Sequence, residues 1–471
     1  MSYKYTCIDL FSGCGGLSLG LEMAGFHSLL AVEKSNMAGE TFFHNFVERI
    51  SDDSPKSNWH DFLSSPFEEQ ISRGLLVSEV SRLLSAPNEL KKLEKSEVDL
   101  IAGGPPCQGF SLAGRRNPSD PRNQLPWQFL DIVEAIHPKA VVMENVLGIS
   151  QKFKKHNQDS PFDLLKKVLE KVRDGYVVQQ VLLNAMHYGV PQHRPRVMLI
   201  GLRSDIAKKA NISDPEKIWQ SSFSDLIEQL PELAPTPIQK EKKCLTADHA
   251  IWDISNEGYR ITPSHSSYKN EAGRYANTMR NSSIKILDES SPEQLQNHKL
   301  RKHGEQIIKR FSFYQILKKE NIPSSVLNLP NKLEGLPLAT EIDKIFRDVN
   351  FPIVSPTNSQ LAKNKKELTK LIIELKTKKH SQRALSYFEP APTVVSVPDD
   401  FVHYRFPRTL TVRELARFQS FPDNFIFRSK ETTGGLRRRV DVPQYTQVGN
   451  AVPPLLGKAV GKKIRELLDS I

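Results

Sequence analysis

Cys107 closes the stretch Ile101-Ala102-Gly103-Gly104-Pro105-Pro106-Cys107, in which the residue types aim a single thiol. An apolar, strand-like run from Val98 to Ala102, broken by Asp99, ends in a glycine pair and a proline pair. Glycine removes side-chain bulk and proline fixes φ, so backbone geometry decides where the thiol points. The arrangement reads as a nucleophile, with a small buried hydrophobe after a turn as the alternative. Two other groups could act with it. Glu144 ends the apolar strand Ala140-Val141-Val142-Met143, and buried parallel strands carry functional groups at their carboxyl ends. Gln192, Arg194 and Arg196 alternate along an extended segment entering Val197 to Gly201, so they should share one face. The two arginines read as an anion clamp or as a structural salt-bridge pair, with Pro191 and Pro195 expected to keep the segment rigid and off any sheet ladder.

The elements that position these groups alternate between strand and helix. Tyr5 to Phe11 reads as a first strand, Ser12-Gly13-Cys14-Gly15-Gly16 as a tight turn, and Leu17 to Ala24 as a helix closing at Gly25. Such a turn lets a ligand approach backbone N–H groups, although it also serves as a purely structural turn. It is not a dinucleotide fingerprint, because Ser18 stands where the third glycine is required. A second strand, Ser28 to Val32, ends on Glu33, where a ribose diol is held in such units; a solvated strand-end carboxylate is the alternative. Trp59 to Leu63 puts Asp61 near a third strand end, and Phe67 to Leu93 has helical spacing. The small, basic, turn-rich run from Gln108 to Arg122 reads as a mobile lid. Helices are expected at Trp127 to Ile136 and Phe162 to Val172, and a strand at Tyr176 to Leu183. Beyond Ser204 the alternation is lost until about Arg408, where a helix at Thr411 to Gln419 and a final helix after Gln447 to Pro454 restore order.

At 471 residues the chain is long enough for two to three domains. Its net charge of +11 favours a polyanionic partner, which includes nucleic acid and anionic membranes. The four cysteines, Cys7, Cys14, Cys107 and Cys244, form no C-x-x-C pair, so no metal site is offered and a reducing compartment fits. No signal-like segment and no stretch near the ~20 apolar residues of a membrane span is visible, so no membrane association is expected.

The order of the motifs is more specific than any one of them. Asp9-Leu10-Phe11-Ser12-Gly13-Cys14-Gly15-Gly16, Glu33, Pro105-Pro106-Cys107-Gln108, Glu144-Asn145-Val146, Gln192-x-Arg194-x-Arg196, Arg413-Glu414 and Gly449-Asn450 together closely resemble the cytosine-5 DNA methyltransferase family of bacterial modification methylases. The resemblance implies an α/β, Rossmann-like S-adenosylmethionine-dependent methyltransferase fold with a mixed central sheet and a smaller irregular target-recognition domain. It implies a catalytic and cofactor-binding domain at 1–204, a target-recognition domain at 205–407, and a C-terminal segment at 408–471 that returns to the catalytic domain. Cys107 would be the nucleophile at cytosine C6, Glu144 the partner of N3 and the exocyclic amine, Arg194 the group at O2, and Arg196 the support of Glu144 and the loop. Phe11, Gly13, Cys14, Gly16, Glu33, Asp61, Pro106, Leu125, Asn450 and Ala451 would line the S-adenosylmethionine pocket.

The same resemblance implies double-stranded DNA as substrate, extrusion of the target cytosine, functional pairing with a restriction endonuclease, a monomer, no metal, and a cytoplasmic, nucleoid-associated location. His298 to Phe313, the lysine-rich run Lys363 to Arg383 and the loops near His403 are the candidates for the DNA face, with a solvated helix face as the alternative for the lysine run. An RNA (tRNA) cytosine-5 methyltransferase and a catalytically silent DNA-binding regulator are the competing readings.

Overall fold

The computed structural model describes residues 4–48, 58–106, 121–150, 160–213, 218–255, 271–280, 295–435, 437 and 440–471. Its centre is an eight-stranded sheet built from β1 (Tyr5–Leu10), β2 (Phe26–Val32), β3 (Leu75–Leu76), β4 (Leu100–Gly103), β5 (Ala140–Asn145), β6 (Tyr176–Asn184), β7 (Pro195–Arg203) and β8 (Trp219–Gln220). The order is β3-β2-β1-β4-β5-β7-β6-β8, and β7 alone runs against the other seven. The sheet is therefore mixed, as expected.

Burial on both faces explains the sequences of the strands. Ile8, Leu10, Ile101, Val141, Met143 and Leu199 pack on one face with the helix Leu125–Ile136. Their neighbours Cys7, Leu100, Ala102, Val142, Met198 and Ile200 pack on the other with the helices Gly16–Met23 and Pro454–Asp469. Period-two alternation between two apolar layers leaves no polar face, hence the continuous apolar run of β5.

The C-terminal helix Pro454–Asp469 seats on the first helix by small residues from both sides. A Cβ built on Gly20 would lie 2.5 Å from the Pro454 carbonyl oxygen and 2.6 Å from the Lys458 nitrogen, and one on Gly461 would lie 2.8 Å from the Ala24 Cβ. The last helix of the chain thus covers the first, about 440 residues away in sequence.

A second, smaller core lies outside the sheet. Phe313, Leu317, Leu327, Ile342, Phe346, Leu368 and Ile372 bury one another where the helices Glu305–Lys319, Gly335–Ile345 and Lys365–Glu374 meet. No described helix is long and apolar enough to cross a membrane.

Three local expectations are corrected. Trp59–Ser64 is a helix capped by Asn58, so Asp61 sits exposed in its first turn rather than at a strand end. The third strand is Leu75–Leu76, inside the stretch that helical spacing assigned to one long helix; Gly74, at φ 83°, breaks that helix before it. Pro195 joins the ladder after all, opening β7 opposite Asn184, which is possible because a first strand residue needs no N–H in the ladder.

The glycine seat makes a measurable prediction. Gly20→Ala should lower unfolding free energy by about 2 kcal/mol through overpacking against backbone atoms that cannot move aside. Gly434→Ala, with no atom within 4 Å of its Cβ, should change it by less than about 0.5 kcal/mol in the same urea titration.

Candidate active site

The carboxyl edge of the sheet gathers the functional side chains because β7, running backwards, begins where β4 and β5 end. Glu144 pairs in register with Met198, and Asn145 with Val197, which sets Arg196 beside the end of β5. The Arg196 Nε donates to Glu144 Oε1 at 2.8 Å, and both side chains are about nine-tenths buried. Gly104 leaves room for this pair: a Cβ there would stand 2.9 Å from Glu144 Oε2. Asn145 donates from Nδ2 to the Pro105 carbonyl at 3.0 Å, fixing the proline turn two residues before Cys107. Cys107 and residues 108–120 of the expected lid lie outside the described residues, and the last two residues of that lid, Pro121 and Arg122, open the 3-10 turn Pro121–Gln124.

Arg194 turns to a different task. It is 1% exposed, with Nη2 donating to the carbonyls of Gly449 (2.8 Å) and Ala451 (2.9 Å) and Nη1 to that of Val394 (3.3 Å). Burial, and then the adjacent Arg196 charge, push its pKa well below the ordinary arginine value, with Glu144 opposing. Gln192, fully buried, donates to the Phe418 carbonyl and to Gln419 Oε1 and accepts from the Val394 N–H. Gln419 in turn donates to the Val448 and Ala451 carbonyls. The segment therefore supports the Glu144 carboxylate at one end and the turn at 448–451 at the other.

The glycine turn lies at the same edge. Phe11, Gly13 and Gly15 all take positive φ (60°, 58° and 94°), unusual for Phe11 and a sign of a turn held by its surroundings. Glu33 Oε2 accepts from the Gly13 N–H (2.9 Å) and Oε1 from the Ser35 N–H (2.7 Å). Burial raises the Glu33 pKa while those N–H groups oppose the rise. Asp9 is 1% exposed and accepts from Ser18 Oγ at 2.5 Å; burial pushes its pKa up to about 7. Cys14 is buried, its thiol pushed up to about 12 by desolvation, so it is inert. Gly16 admits no side chain, because its Cβ would lie 2.3 Å from the Val452 carbonyl oxygen.

Of the other residues expected at the pocket, Ala451 is buried beside Gly16, Leu125 opens the helix Leu125–Ile136, and Pro106 and Asn450 are exposed. The turn fits a polar ligand on its own evidence. Among the described residues a Cβ on Gly13 meets nothing within 4 Å, and Ser12 Oγ is buried with no hydrogen-bond partner.

The comparisons decide what these parts belong to. The description "C-5 cytosine-specific DNA methylase" matches residues 5–68 and 85–466. The chain belongs to the C-5 cytosine-specific DNA methylase family. Among its relatives, the type II methyltransferase M.DdeI of Desulfomicrobium norvegicum is 32% identical, over 98% of this chain and 89% of that protein. The type II methyltransferase M1.HphI of Haemophilus parahaemolyticus is 28% identical over 98% of this chain and 87% of its own length. A solved E. coli prophage-encoded protein, described as a DNA modification methyltransferase, shares the fold at a TM-score of 0.51 and 22% identity, covering 99% and 100% of the two chains. This C-5 cytosine methylase is thus a DNA (cytosine-5-)-methyltransferase of the type II modification kind, and its family implies S-adenosylmethionine as methyl donor.

Within the segments expected on the DNA face of the methylase, two histidines are taken up in internal contacts. His298 precedes any helix, which begins at Glu305, and its Nδ1 meets Thr411 Oγ1 at 2.9 Å. His403 is 0% exposed. Its Nδ1 accepts the N–H groups of Arg405 and Phe406, so Nε2 carries the proton toward Ser255 Oγ at 2.9 Å. Its carbonyl accepts from Gln315 in the helix Glu305–Lys319. Nearby, Glu414 is held down to about 2: burial works against its charge, but two hydrogen bonds from Arg408 (2.8 and 2.6 Å) outweigh it. The sequence singles out Asn145 and Gln192 within its motifs but not what they hold, and does not single out Gln419, since an amide bonded to backbone carbonyls does not reveal its partners.

His403 gives the site a pH dependence. Desolvation pushes its pKa down to about 3, against an ordinary 6.5. Between these values the unfolded chain binds a proton that the folded imidazole does not, so stability falls as pH drops below 6.5, by about 2 kcal/mol at pH 5. His403→Asn should be less stable than wild type at pH 7.5, and the gap in urea unfolding free energy should narrow by roughly that amount at pH 5.

Proposed function

We propose that this methylase transfers a methyl group to C5 of a cytosine extruded from a short duplex DNA site, through a covalent bond between Cys107 Sγ and C6. The observation that carries the reading is the buried contact of Arg196 with Glu144 beside Gly104, at the strand edge that leads into Cys107. Cytosine C5 is a weak nucleophile until a group adds at C6, and a thiolate suits that addition. Glu144 holds N3 and the exocyclic amine as electron density moves into the ring. Arg196 orients the Glu144 carboxylate for that task. S-adenosylmethionine, held by the turn at Phe11–Gly16, Glu33, Pro106, Leu125, Asn450 and Ala451, supplies the electrophilic methyl group. C5 takes the methyl, its proton leaves, and elimination of Sγ restores the aromatic ring.

Arg194 supports this chemistry by carrying the carbonyls of Gly449 and Ala451 rather than by touching O2. The assignment keeps Cys14 and Gly16 in the pocket wall and leaves out Asp61, which lies in the first turn of a helix rather than at a strand end. The target must leave the duplex to reach the thiol, at a cost of a few kcal/mol. In this reading residues 1–204 and 408–471 form the catalytic body, residues 205–407 supply the DNA-recognition domain, and the enzyme acts as a monomer that protects host DNA from a partner endonuclease.

Labelled methyl transfer from S-adenosylmethionine tests the reading. Wild type should label duplex DNA and not tRNA, and form an adduct with a 5-fluorocytosine duplex that survives denaturation. Cys107→Ala should abolish both, and Glu144→Gln should lower kcat by about 100-fold or more while retaining cofactor binding. Sustained transfer by Cys107→Ala would remove the thiol from its role, and preferred labelling of tRNA would replace the substrate.

A further inference from the structure

We propose that Arg383 reads a guanine of the DNA site from inside the cleft between the arginine strand and the small domain. The inference rests on the DNA-methylating function proposed above and adds a specificity-determining residue to it. A cleft of 890 Å³ opens between the two cores, lined on one side by Met186 and His193 and on the other by Lys318, Arg383, Ser386 and Glu389. His193 lies between Gln192 and Arg194, so the cleft continues from the segment that supports Glu144.

Within this lining the cations differ in how they are engaged. Lys318 is bound to Glu389 at 2.7 Å. Arg383 makes no ion pair and no side-chain hydrogen bond among the described residues. Its guanidinium lies over the Phe401 ring at 5.3 Å. Its backbone is fixed in the short strand Arg383–Ala384, which pairs with Phe401–Val402, and its N–H donates to the Asp400 carbonyl at 3.0 Å. Alternation along that strand buries Ala384 in the small core and turns Arg383 outward into the cleft.

A guanidinium held over an aromatic ring, on a strand and with its donors unused among the described residues, is preorganised for a bidentate acceptor. The O6 and N7 atoms of guanine in the major groove form such an acceptor, and Arg to guanine is the commonest specific contact to a base. A phosphate would satisfy the same fork, but the surface offers phosphates other partners. Residues 363–383 hold eight Lys and Arg against two Glu, a net +6 of the chain's +11. Lys363, Lys366, Lys370, Lys376 and Lys378 are exposed with no ion pair among the described residues. Strongly hydrated ammonium groups on flexible stems suit backbone contact, which leaves the stacked arginine in the cleft for readout.

The test first fixes the site by bisulfite sequencing of DNA from a host expressing wild type. Each base pair of the site is then replaced singly in a duplex panel, and kcat/KM is measured for wild type, Arg383→Ala, Arg383→Lys and the double variant Lys376→Ala/Lys378→Ala. Wild type should reject replacement of one particular G·C pair by about 10–100-fold. In Arg383→Ala and Arg383→Lys that rejection should shrink to within about threefold while rejection at the other positions persists. The double lysine variant should weaken binding of every duplex alike and make the salt dependence shallower by about two units of slope. An equal loss for Arg383→Ala across the whole panel, or no loss anywhere, overturns the assignment; unchanged binding of S-adenosylhomocysteine excludes misfolding as the cause. Absence of cytosine methylation by wild type on every duplex overturns the function itself, a separate outcome from a failed Arg383.

Discussion

A guanidinium buried with no ion pair among the described residues is the constraint on which the site depends. Arg194 is sealed inside the molecule and relies on backbone carbonyls of Gly449, Ala451 and Val394. A charge taken from water costs several kcal/mol unless strong acceptors meet it, so folding of the edge near Glu144 is coupled to the arrival of a segment some 255 residues later in the chain. The return of the C-terminus is therefore a requirement of the catalytic edge. The helix Pro454–Asp469 completes it by seating on Gly20 with no side chain between the backbones.

The same economy governs the strand edge. Inserting β7 backwards between β5 and β6 brings the first residue of one strand beside the last residues of its neighbour. An all-parallel arrangement would have put Arg196 at the opposite edge from Glu144. Reversal needs a sharp return between β6 and β7, and the sequence from Asn184 to Arg194 supplies it: Gly189 at φ 80°, and Asn184 Oδ1 accepting the N–H groups of Met186 and Arg194. The pair of prolines flanking Arg194 then fixes the approach without disturbing the ladder, since Pro195 takes the one strand position where an N–H is dispensable.

Legibility in the sequence followed the kind of force involved. Strands buried on both faces are apolar throughout, and β1, β5 and β7 were readable to within a residue or two because burial acts on every position. Motif order was readable because chemistry dictates residue type, as with Glu144 and Arg196. Helix against strand near Leu75–Leu76 was not, because a two-residue strand between short helices leaves too few positions for a period to form. The packing of the histidines was not legible either: His403, in a polar, basic stretch, is sealed from solvent and His298 is part-buried against Thr411, which only tertiary packing reveals. The resemblance sets Arg196 beside Glu144, where it lies, but the commitment of Arg194 to the carbonyls of Gly449, Ala451 and Val394 was invisible, since backbone partners carry no side-chain signature.

Buried joints also explain how the small core is held against the body that carries the sheet. The helix Val412–Phe418 is fully buried, and its polar residues are each committed: Glu414 to Arg408, Arg417 to Asp423 through two bonds of 2.6 Å, and Arg413 to the Pro422 and Phe425 carbonyls. His403, one strand away, is tied by its carbonyl to Gln315 of the small domain and by its ring to Ser255. Charged groups satisfied in this way hold one geometry, because any sliding of the small domain would leave a buried charge unpaired. Outer residues of the small core, among them Arg383, take no part in this network. The network of buried groups around His403 and Glu414 is thus what ties the small core to the helix Val412–Phe418.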